Sequence, residues 1–362
     1  MIRRLTPAMR WAACCVALAA AFAAAQSAPL SISESGSTLI YPIFQAWVQA
    51  YAKVDPALHI ATAATGSGAG IAQALAGHVQ IGTSDAYMSD NDAMAHPDIL
   101  NIPLAISAQT VDANLPELRG GALRLSGPVL ADIYSGRIRY WDAAPIAAMN
   151  TGARLPHRAI VPVRRAEGSG DTFIFTQFLS FSTPDADENT SRGWENSIGY
   201  GTTVNWPQVS GELTATGNDG MVQTLARTPY SVGYVGASFE AEGAKAGLTV
   251  AMLLNQDGQF LLPNPDTVTA AAAALTPRTP ADERLTLVFA PGANSYPLIN
   301  YEYAIVSAKQ PSSQAATEIS NFLLWCISPQ GGNAPSFLDP VHFIALPTSI
   351  RARSEIQIAK IQ

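Results

Sequence analysis

Short β-branched runs alternate with amphipathic helical patterns along most of this chain. The runs "LHIATAA" and "VQIGTSD" are typical of strands, and "GAGIAQALAG" between them is typical of a helix that ends at Gly77. Later, "AIVPVRR" precedes the helical "TFIFTQFLS", and "VGYVG" and "YEYAIVS" have the pattern of buried strands. Strand–helix–strand alternation predicts an α/β fold with parallel strands, in which ligands bind where strands end and helices begin.

The length and the composition favour two globular domains. A chain of 362 residues exceeds the size at which a single hydrophobic core keeps growing. Its 48% of hydrophobic and 14% of charged residues are typical of a folded chain and exclude a disordered one.

The first 25 residues have the composition of a secretory signal. Three arginines in "MIRRLTPAMR" precede the uncharged apolar run "WAACCVALAAAFAAA", which ends in small residues suited to cleavage after Ala25. The run is too short for a membrane-spanning helix. We therefore predict a signal peptide over residues 1–25 and an exported mature protein. A lipid anchor on Cys14 or Cys15 is the alternative, although most of the apolar stretch follows those cysteines instead of preceding them.

Removal of the signal leaves Cys326 as the single cysteine, so no intramolecular disulfide is possible. Cys326 lies on the apolar stripe of a helical pattern, which predicts a small buried side chain. The mature chain keeps 18 basic residues against 28 acidic ones, a net charge of −10. This balance lacks the basic surface of nucleic-acid-binding proteins, and we expect no nucleic-acid partner.

Three segments share one design, in which a strand leads through small residues into an apolar helix. They are "SGSTLIYPIF", "TGSGAGIAQALAG" and "RRAEGSGDTFIFTQFL". Each segment would present free backbone N–H groups and a hydroxyl at the positive end of a helix, which suits an oxyanion. Each of them alone is also an ordinary helix cap or turn. Three in one chain, one of them beginning with Arg164 and Arg165, favour an anion-binding site.

Other ligand motifs do not fit this sequence. Neither glycine-rich stretch has the G-K-[ST] of a nucleotide-binding loop or the G-x-S-x-G of a serine hydrolase. The five histidines form no HExxH motif and no i, i+4 pair, so we predict neither a metal nor a cofactor. A secreted phosphatase or esterase that uses Ser67 or Ser169 is the alternative from the enzyme class. It would need a base or a metal, and neither accompanies these serines in the sequence.

Asp85 follows a strand pattern in "IGTSDAYMSDND", at a position where a ligand is expected. One interpretation is a turn or capping aspartate. The other is a hydrogen-bond acceptor for a protonated anion. Sulfate or molybdate is a further alternative for the ligand, but a fully deprotonated oxyanion gives a carboxylate no proton to accept.

In this order, these runs resemble those of the periplasmic phosphate-binding proteins of high-affinity phosphate ABC transporters. The matching stretches also include "LADIYSGRIRYWD", "GNDGMV" and "INYEYAIV", and together they extend over nearly the whole mature chain. The resemblance implies a two-lobed periplasmic-binding-protein fold of type II, with mixed sheets flanked by helices and two hinge crossings. It also implies a periplasmic monomer, not an enzyme, which binds phosphate in the interlobe cleft and delivers it to an inner-membrane permease.

The resemblance also places the lobes and the site residues. Lobe 1 is expected to comprise residues 26–106 and 298–362, and lobe 2 residues 107–297. Glu167 is expected to pair with Arg165 and to hold it in place. The residues implied to bind phosphate are Ser37, Thr38, Leu39, Ser67, Asp85, Arg165, Ser169, Gly170 and Asp171. Many family members carry an aromatic residue in place of Leu39 and a threonine in place of Asp171.

Overall fold

The computed structural model describes residues 29–118, 121–183 and 193–362. The predicted signal peptide over residues 1–25 lies outside the described residues, and so do Cys14 and Cys15. In the described ranges, strands and helices alternate along the chain as the sequence predicts.

The strands and helices have the following bounds. The strands are β1 (Leu30–Gly36), β2 (Leu58–Ala64), β3 (Ile81–Ser84), β4 (Ile99–Ala113), β5 (Leu123–Leu125), β6 (Val161–Arg165), β7 (Leu213–Ala215), β8 (Ser231–Gly236), β9 (Thr249–Leu254), β10 (Phe260–Leu261) and β11 (Ile299–Ser307). The α-helices are α1 (Tyr41–Tyr51), α2 (Ser67–Leu75), α3 (Asp90–Ala95), α4 (Gly127–Tyr134), α5 (Ala144–Met149), α6 (Gly170–Ser182), α7 (Trp194–Ser197), α8 (Gly217–Arg227), α9 (Glu240–Lys245), α10 (Pro265–Leu275), α11 (Ser313–Ile327), α12 (Pro335–Leu338) and α13 (Thr348–Ile358).

The strand and helix patterns of the sequence lie in regular elements at the expected places. The run "LHIATAA" is β2, "VQIGTSD" contains β3, and α2 lies between them. The run "AIVPVRR" contains β6 and precedes α6, while "VGYVG" and "YEYAIVS" lie in β8 and β11. Cys326 is buried on α11 beside Phe322 and Leu323, which confirms its predicted place on an apolar stripe.

The strands form a mixed sheet arrangement in the order β2–β1–β3–β11–β4–β8–β6–β7, and β9 pairs with β4, β5 and β10. Strands β1, β2 and β3 run parallel to one another, and so do β6, β7 and β8. Strands β4 and β11 are antiparallel to their neighbours in that order. The sheets are therefore mixed, as the resemblance implies. The expectation of parallel pairing fails for β4 and β11 because neither strand follows a sheet neighbour directly in the chain, so no helical crossover fixes its direction.

Strand β4 connects the two halves of this arrangement. Its residues from Ile99 to Ala108 pair with β11, whereas those from Gln109 to Ala113 pair with β8. Beside this crossing, the backbone N–H of Gln109 donates to the carbonyl of Leu298 at 2.9 Å. Two adjacent segments therefore join the halves into a two-lobed fold. We propose that the lobes comprise residues 26–106 with 298–362 and residues 107–297.

Helix α6 is buried along most of its length, from Gly170 to Ser180. Its aromatic side chains pack into the core, where the ring of Phe175 stacks on that of Tyr234 at a centroid distance of 4.5 Å. Burying an aromatic side chain of this size is worth about 1.5–3 kcal/mol. This packing fixes the N-terminus of α6, which begins with Gly170 and Asp171.

Several carboxyl groups are buried in this fold. Glu283 is fully buried; its Oε1 accepts a hydrogen bond from Ser354 Oγ at 3.1 Å, and its Oε2 has no hydrogen-bond partner among the described residues. Loss of hydration on burial raises the pKa of Glu283 to about 8. Burial likewise raises the pKa of Glu34 and of Asp112 to about 7. These groups keep their protons in the folded protein at pH values at which an unfolded chain has released them.

We predict that Glu283 makes folding less favourable as the pH rises from about 4.5 to about 8. In this window the native state binds more protons than the unfolded chain, so such a group lowers the free energy of unfolding by up to about 1.4 kcal/mol per pH unit. The variant Glu283→Gln keeps the shape of the side chain without titrating. Thermal melts between pH 5 and 8 should therefore show a shallower loss of melting temperature than in the wild type.

The exposed acid Glu242 on α9 provides the matched control. The Glu242→Gln profile should run parallel to that of the wild type. A Glu283→Gln profile parallel to the wild type would instead mean that Glu283 is ionised in the folded protein.

Candidate interlobe anion site

The candidate site lies where the carboxyl ends of parallel strands from the two lobes face each other. Ser37 follows β1, Asp85 follows β3, and Arg165 is the last residue of β6. Ser169 precedes α6, which begins with Gly170. The structure brings the nine predicted residues together, since each contacts another member or is adjacent to one in the chain. These are Ser37, Thr38, Leu39, Ser67, Asp85, Arg165, Ser169, Gly170 and Asp171.

In lobe 1, two serine hydroxyls bind the carboxyl group of Asp85. Ser37 Oγ donates to Asp85 Oδ1, and Ser67 Oγ donates to Asp85 Oδ2 at 3.2 Å. Ser67 Oγ also accepts from the backbone N–H of Asp85 at 3.1 Å. The N–H of Leu39 donates to Ser37 Oγ at 3.0 Å, and the carbonyl of Leu39 accepts from Ser238 Oγ in the other lobe at 2.7 Å. Both oxygens of Asp85 thus accept hydrogen bonds from serine hydroxyls, and each hydroxyl would have to turn its single proton away from Asp85 to donate it to an anion.

In lobe 2, the guanidinium of Arg165 is held by two carboxylates. Its Nη1 donates to Asp171 Oδ2 at 2.5 Å, and its Nε donates to Glu167 Oε1 at 2.7 Å. Its Nη2 donates to Glu167 Oε1 and, across the cleft, to Thr38 Oγ1 at 3.1 Å. The Arg165 side chain is only 1% exposed. A charge buried this deeply is strongly destabilising unless it is paired, so Asp171 and Glu167 stabilise the protein as well as orienting the guanidinium.

The charges of these groups follow from their surroundings. Loss of hydration raises the pKa of Asp85 above its ordinary value, and the negative charge of Asp171 raises it further, while Ser37 and Arg165 partly oppose the shift. Burial also disfavours the charge on Glu167, but the Arg165 guanidinium and the N–H of Gly217 outweigh it and lower the pKa of Glu167. Glu167 therefore stays ionised beside the arginine.

Two further residues of the site carried no assigned role in the sequence. Asn218 Nδ2 donates to Thr38 Oγ1 at 3.0 Å and to Asp171 Oδ2 at 2.7 Å. Gln109 Nε2 donates to Asp171 Oδ1 at 3.1 Å. The run "GNDGMV" repeats the strand–turn–helix design after β7 and could have identified Asn218. Gln109 is a polar residue within a buried strand, for which the sequence gives no signal.

The two lobes approach each other closely at glycines. The N–H of Gly68 donates to the carbonyl of Gly168 at 3.0 Å. A Cβ atom on Gly170 would lie 2.4 Å from Asp85 Oδ2 and 2.5 Å from Ser67 Oγ. Only glycine lets α6 begin this close to the carboxyl group of Asp85.

A cavity of 530 Å³ lies beside this contact and belongs to the same cleft, because both lobes line it. Its lining includes Gly68, Tyr87, Asp90, Phe173, Tyr200 and Thr203.

The polar groups of the site suit a small oxyanion. A guanidinium, several hydroxyls and the first turn of α6 supply donors, while Asp85 supplies an acceptor. The described residues contain no group of three or more His, Cys, Asp or Glu that could hold a metal ion. Ser169 Oγ accepts from the N–H of Thr172 at 3.3 Å and so caps α6. No hydrogen bond described for Ser67 or Ser169 leads to a histidine or a lysine that could act as a base.

Two lobes joined by adjacent crossing segments around a buried polar cleft define a periplasmic-binding-protein fold. A family model described as a PBP superfamily domain matches residues 23–330. The chain is 31% identical over 327 residues to the phosphate-binding protein PstS of Pasteurella multocida. This alignment covers 90% of this chain and 89% of that protein. The chain is 32% identical over 342 residues to the phosphate-binding protein PstS of Methanocaldococcus jannaschii. That alignment covers 88% of this chain and 83% of the relative.

A solved structure shares the fold. The structure of a high affinity periplasmic phosphate-binding protein bound with phosphate matches with a TM-score of 0.68 and 23% identity, covering 89% of this chain and 92% of that chain. The chain therefore belongs to the PBP superfamily and, within it, to the family of the phosphate-binding proteins PstS. The resemblance drawn from the sequence motifs and the predicted fold class are confirmed.

We predict that Gly170→Ala forces the start of α6 away from Asp85, because the added Cβ atom has no room between Asp85 and Ser67. Overpacking of this kind destabilises a protein by about 1–3 kcal/mol. We expect a lower melting temperature and, by small-angle X-ray scattering, a larger radius of gyration.

Gly220 on α8 gives the control, since a Cβ atom there would meet Ala215 only at an ordinary 3.8 Å. Gly220→Ala should be neutral or stabilising, because alanine favours a helix over glycine. An unchanged melting temperature together with an unchanged radius of gyration in Gly170→Ala would contradict the close approach of the lobes.

Proposed function

We propose that this protein binds inorganic phosphate in its interlobe cleft and delivers it to the permease of a phosphate ABC transporter. The observation that carries the proposal is a single arrangement of charges, in which the paired guanidinium of Arg165 and the start of α6 face the buried carboxyl group of Asp85. The relatives named above are phosphate-binding proteins, which supports the same ligand.

The proposed binding residues share the ability to bond an oxyanion through a charge, a hydroxyl, a backbone N–H or an accepting carboxylate. The N–H groups of Gly170 and Asp171 lie in the first turn of α6, where a helix leaves its N–H groups without helical partners. Arg165 supplies the positive charge, and Glu167 holds it in place. The full proposed set is Ser37, Thr38, Leu39, Ser67, Asp85, Arg165, Ser169, Gly170 and Asp171.

Asp85 is the residue that we propose distinguishes phosphate from other oxyanions. A phosphate that carries a proton can donate it to Asp85, whereas sulfate and molybdate would bring lone pairs against an ionised carboxylate. A buried contact between two acceptors is repulsive and cannot be relieved by water, which makes the rejection strong.

We further propose that the protein acts by binding and not by catalysis. A phosphatase or esterase mechanism through Ser67 or Ser169 would require an adjacent base or metal. The hydroxyl of Ser169 caps α6, and that of Ser67 donates to Asp85, the carboxylate that we propose accepts the proton of the ligand instead of acting as a base. The proposed mechanism needs no cofactor.

The proposed location is the periplasm, reached through the signal peptide predicted over residues 1–25, and we propose that the protein acts there as a monomer. Across residues 29–118, 121–183 and 193–362, no helix combines the length and the apolar character needed to span a membrane. The structurally similar phosphate-binding protein is periplasmic, which supports this location.

The proposed function predicts that phosphate-free protein binds one phosphate ion in isothermal titration. Sulfate should fail to compete at large excess, because a site built for a ligand O–H rejects an analogue that lacks it by roughly 10⁴–10⁵. The absence of phosphate binding would refute the function. Comparable affinities for the two ions would refute the role of Asp85. Hydrolysis of a chromogenic phosphate ester that is lost in Ser169→Ala would favour the enzyme alternative.

We predict that Arg165→Lys weakens phosphate binding about 10- to 100-fold, since hydrogen bonds to a charged group contribute about 1.5–3 kcal/mol. A lysine keeps the charge but cannot reproduce the fork that contacts Asp171, Glu167 and Thr38 at once. Titration calorimetry measures the loss, and circular dichroism verifies the fold.

The neighbouring Arg164 offers a matched control. Its Nη2 donates to Glu212 at 3.1 Å, and its guanidinium lies over the ring of Trp206. Arg164→Lys should therefore change phosphate affinity by less than about threefold. Equal losses in Arg164→Lys and Arg165→Lys would show that Arg165 acts only through general charge or stability.

A further inference from the structure

Glu302 on β11 is a buried acid in contact with Asp85, and the anion site described above does not use it. Its side chain is fully buried. Its Oε1 accepts hydrogen bonds from Ser107 Oγ at 2.5 Å and from Asn300 Nδ2 at 3.0 Å. Its carboxyl group lies within hydrogen-bonding reach of that of Asp85, while its Oε2 has no donor among the described residues. Two ionised carboxyl groups in this position would offer each other only acceptors.

The surroundings of the pair contain too little positive charge for both acids to ionise. Asp85 is faced by the hydroxyls of Ser37 and Ser67, by the carboxylate of Asp171 and by the guanidinium of Arg165. That guanidinium is already bound to Asp171 and Glu167.

Among the described residues, the hydrogen-bond partners of Glu302 besides Asp85 are neutral. They are the hydroxyl of Ser107 and the amide of Asn300, and Asn300 Nδ2 also donates to the backbone carbonyl of Asp85 at 3.3 Å. A second buried negative charge here would have no cation of its own, and burying an unpaired charge is strongly unfavourable.

We propose that Glu302 stays protonated and donates its Oε2–H to Asp85, and that this hydrogen bond keeps Asp85 ionised as the acceptor that selects a protonated oxyanion. The inference rests on the proposed function for its ligand, but the proton on Glu302 does not. This proton gives Oε2 of Glu302 a hydrogen bond and leaves one negative charge on the two carboxyl groups together. In agreement, burial raises the pKa of Glu302 well above its ordinary value, and the neighbouring charge of Asp85 raises it further.

The consequence is a specific role for Glu302 as a positioning residue. If Glu302 lost its proton, Asp85 would lose a hydrogen-bond donor and would itself take up a proton more readily. A protonated Asp85 is a hydrogen-bond donor, so it would accept a fully deprotonated oxyanion such as sulfate. Glu302 therefore sets which protonation state of the ligand fits.

Two variants of similar size separate this role from a structural one. In Glu302→Gln the amide oxygen can still accept from Ser107 and Asn300, and the amide nitrogen can donate to Asp85 without carrying charge. We expect phosphate affinity within about threefold of the wild type and intact exclusion of sulfate. In Glu302→Leu the donor is absent, and we expect the preference for phosphate over sulfate to fall at least about tenfold, more so toward lower pH.

The same titrations can also overturn the proposed role of Glu302. If Glu302 is ionised in the wild type, Glu302→Gln removes a negative charge near an anion and should raise both phosphate and sulfate affinity about tenfold or more, which overturns the proposal. Undiminished exclusion of sulfate in folded Glu302→Leu, verified by thermal melting, overturns it as well.

A spectroscopic readout tests the proton without any ligand. Infrared spectra at neutral pH should show the C=O stretch of protonated carboxyl groups, and Glu302→Gln should remove part of this band. Glu283→Gln should also remove part of it while leaving the selectivity unchanged, since Glu283 lies outside the site. An undiminished band in Glu302→Gln refutes the proton on Glu302 even if the wild type proves not to bind phosphate, a failure that would count against the proposed function alone.

Discussion

The cleft depends on the ion pairs that the Arg165 guanidinium forms with Asp171 and Glu167. The guanidinium lies almost fully buried between these two carboxylates and reaches Thr38 in the other lobe. Because a buried charge must be paired, the acids that accompany it are required by the fold before any ligand is considered. The same pairing reduces the positive field in the cleft. Under the proposed function, an anion would therefore be held by many short hydrogen bonds from hydroxyls and helix N–H groups together with the arginine.

Much of this geometry could be predicted from the sequence. Alternating strand and helix patterns placed β2, α2, β3, β6 and α6, because the periods of 2 and 3.6 residues are strong wherever one face is buried. Parallel strands bring their carboxyl ends to one edge, which is why Ser37, Asp85 and Arg165, far apart in sequence, lie together. The resemblance to a known family then supplied what periodicity could not, namely the pairing of the two lobes across a cleft.

The part that the sequence could not predict lies on the crossing strands. Gln109 on β4 and Glu302 on β11 are polar residues inside runs that the sequence indicates only as buried strands. The pairing of β4 with β8 places Gln109 beside Asp171, and the pairing of β4 with β11 places Glu302 beside Asp85. Hydrophobic pattern specifies that such a strand is buried, but it does not specify which buried partner satisfies each polar group.

The distribution of acids has a further consequence for how such a cleft holds an anion. The chain without its predicted signal carries a net charge of −10, so its long-range field opposes an anionic ligand. Affinity must then come from contacts within the first few ångströms, where hydrogen-bond geometry dominates and salt screening is weak because the groups are buried. Under these conditions the number of protons shared between the ligand and the buried carboxyl groups decides whether an anion fits. A cleft with more acids than cations can therefore bind an anion and still discriminate sharply among anions of similar size.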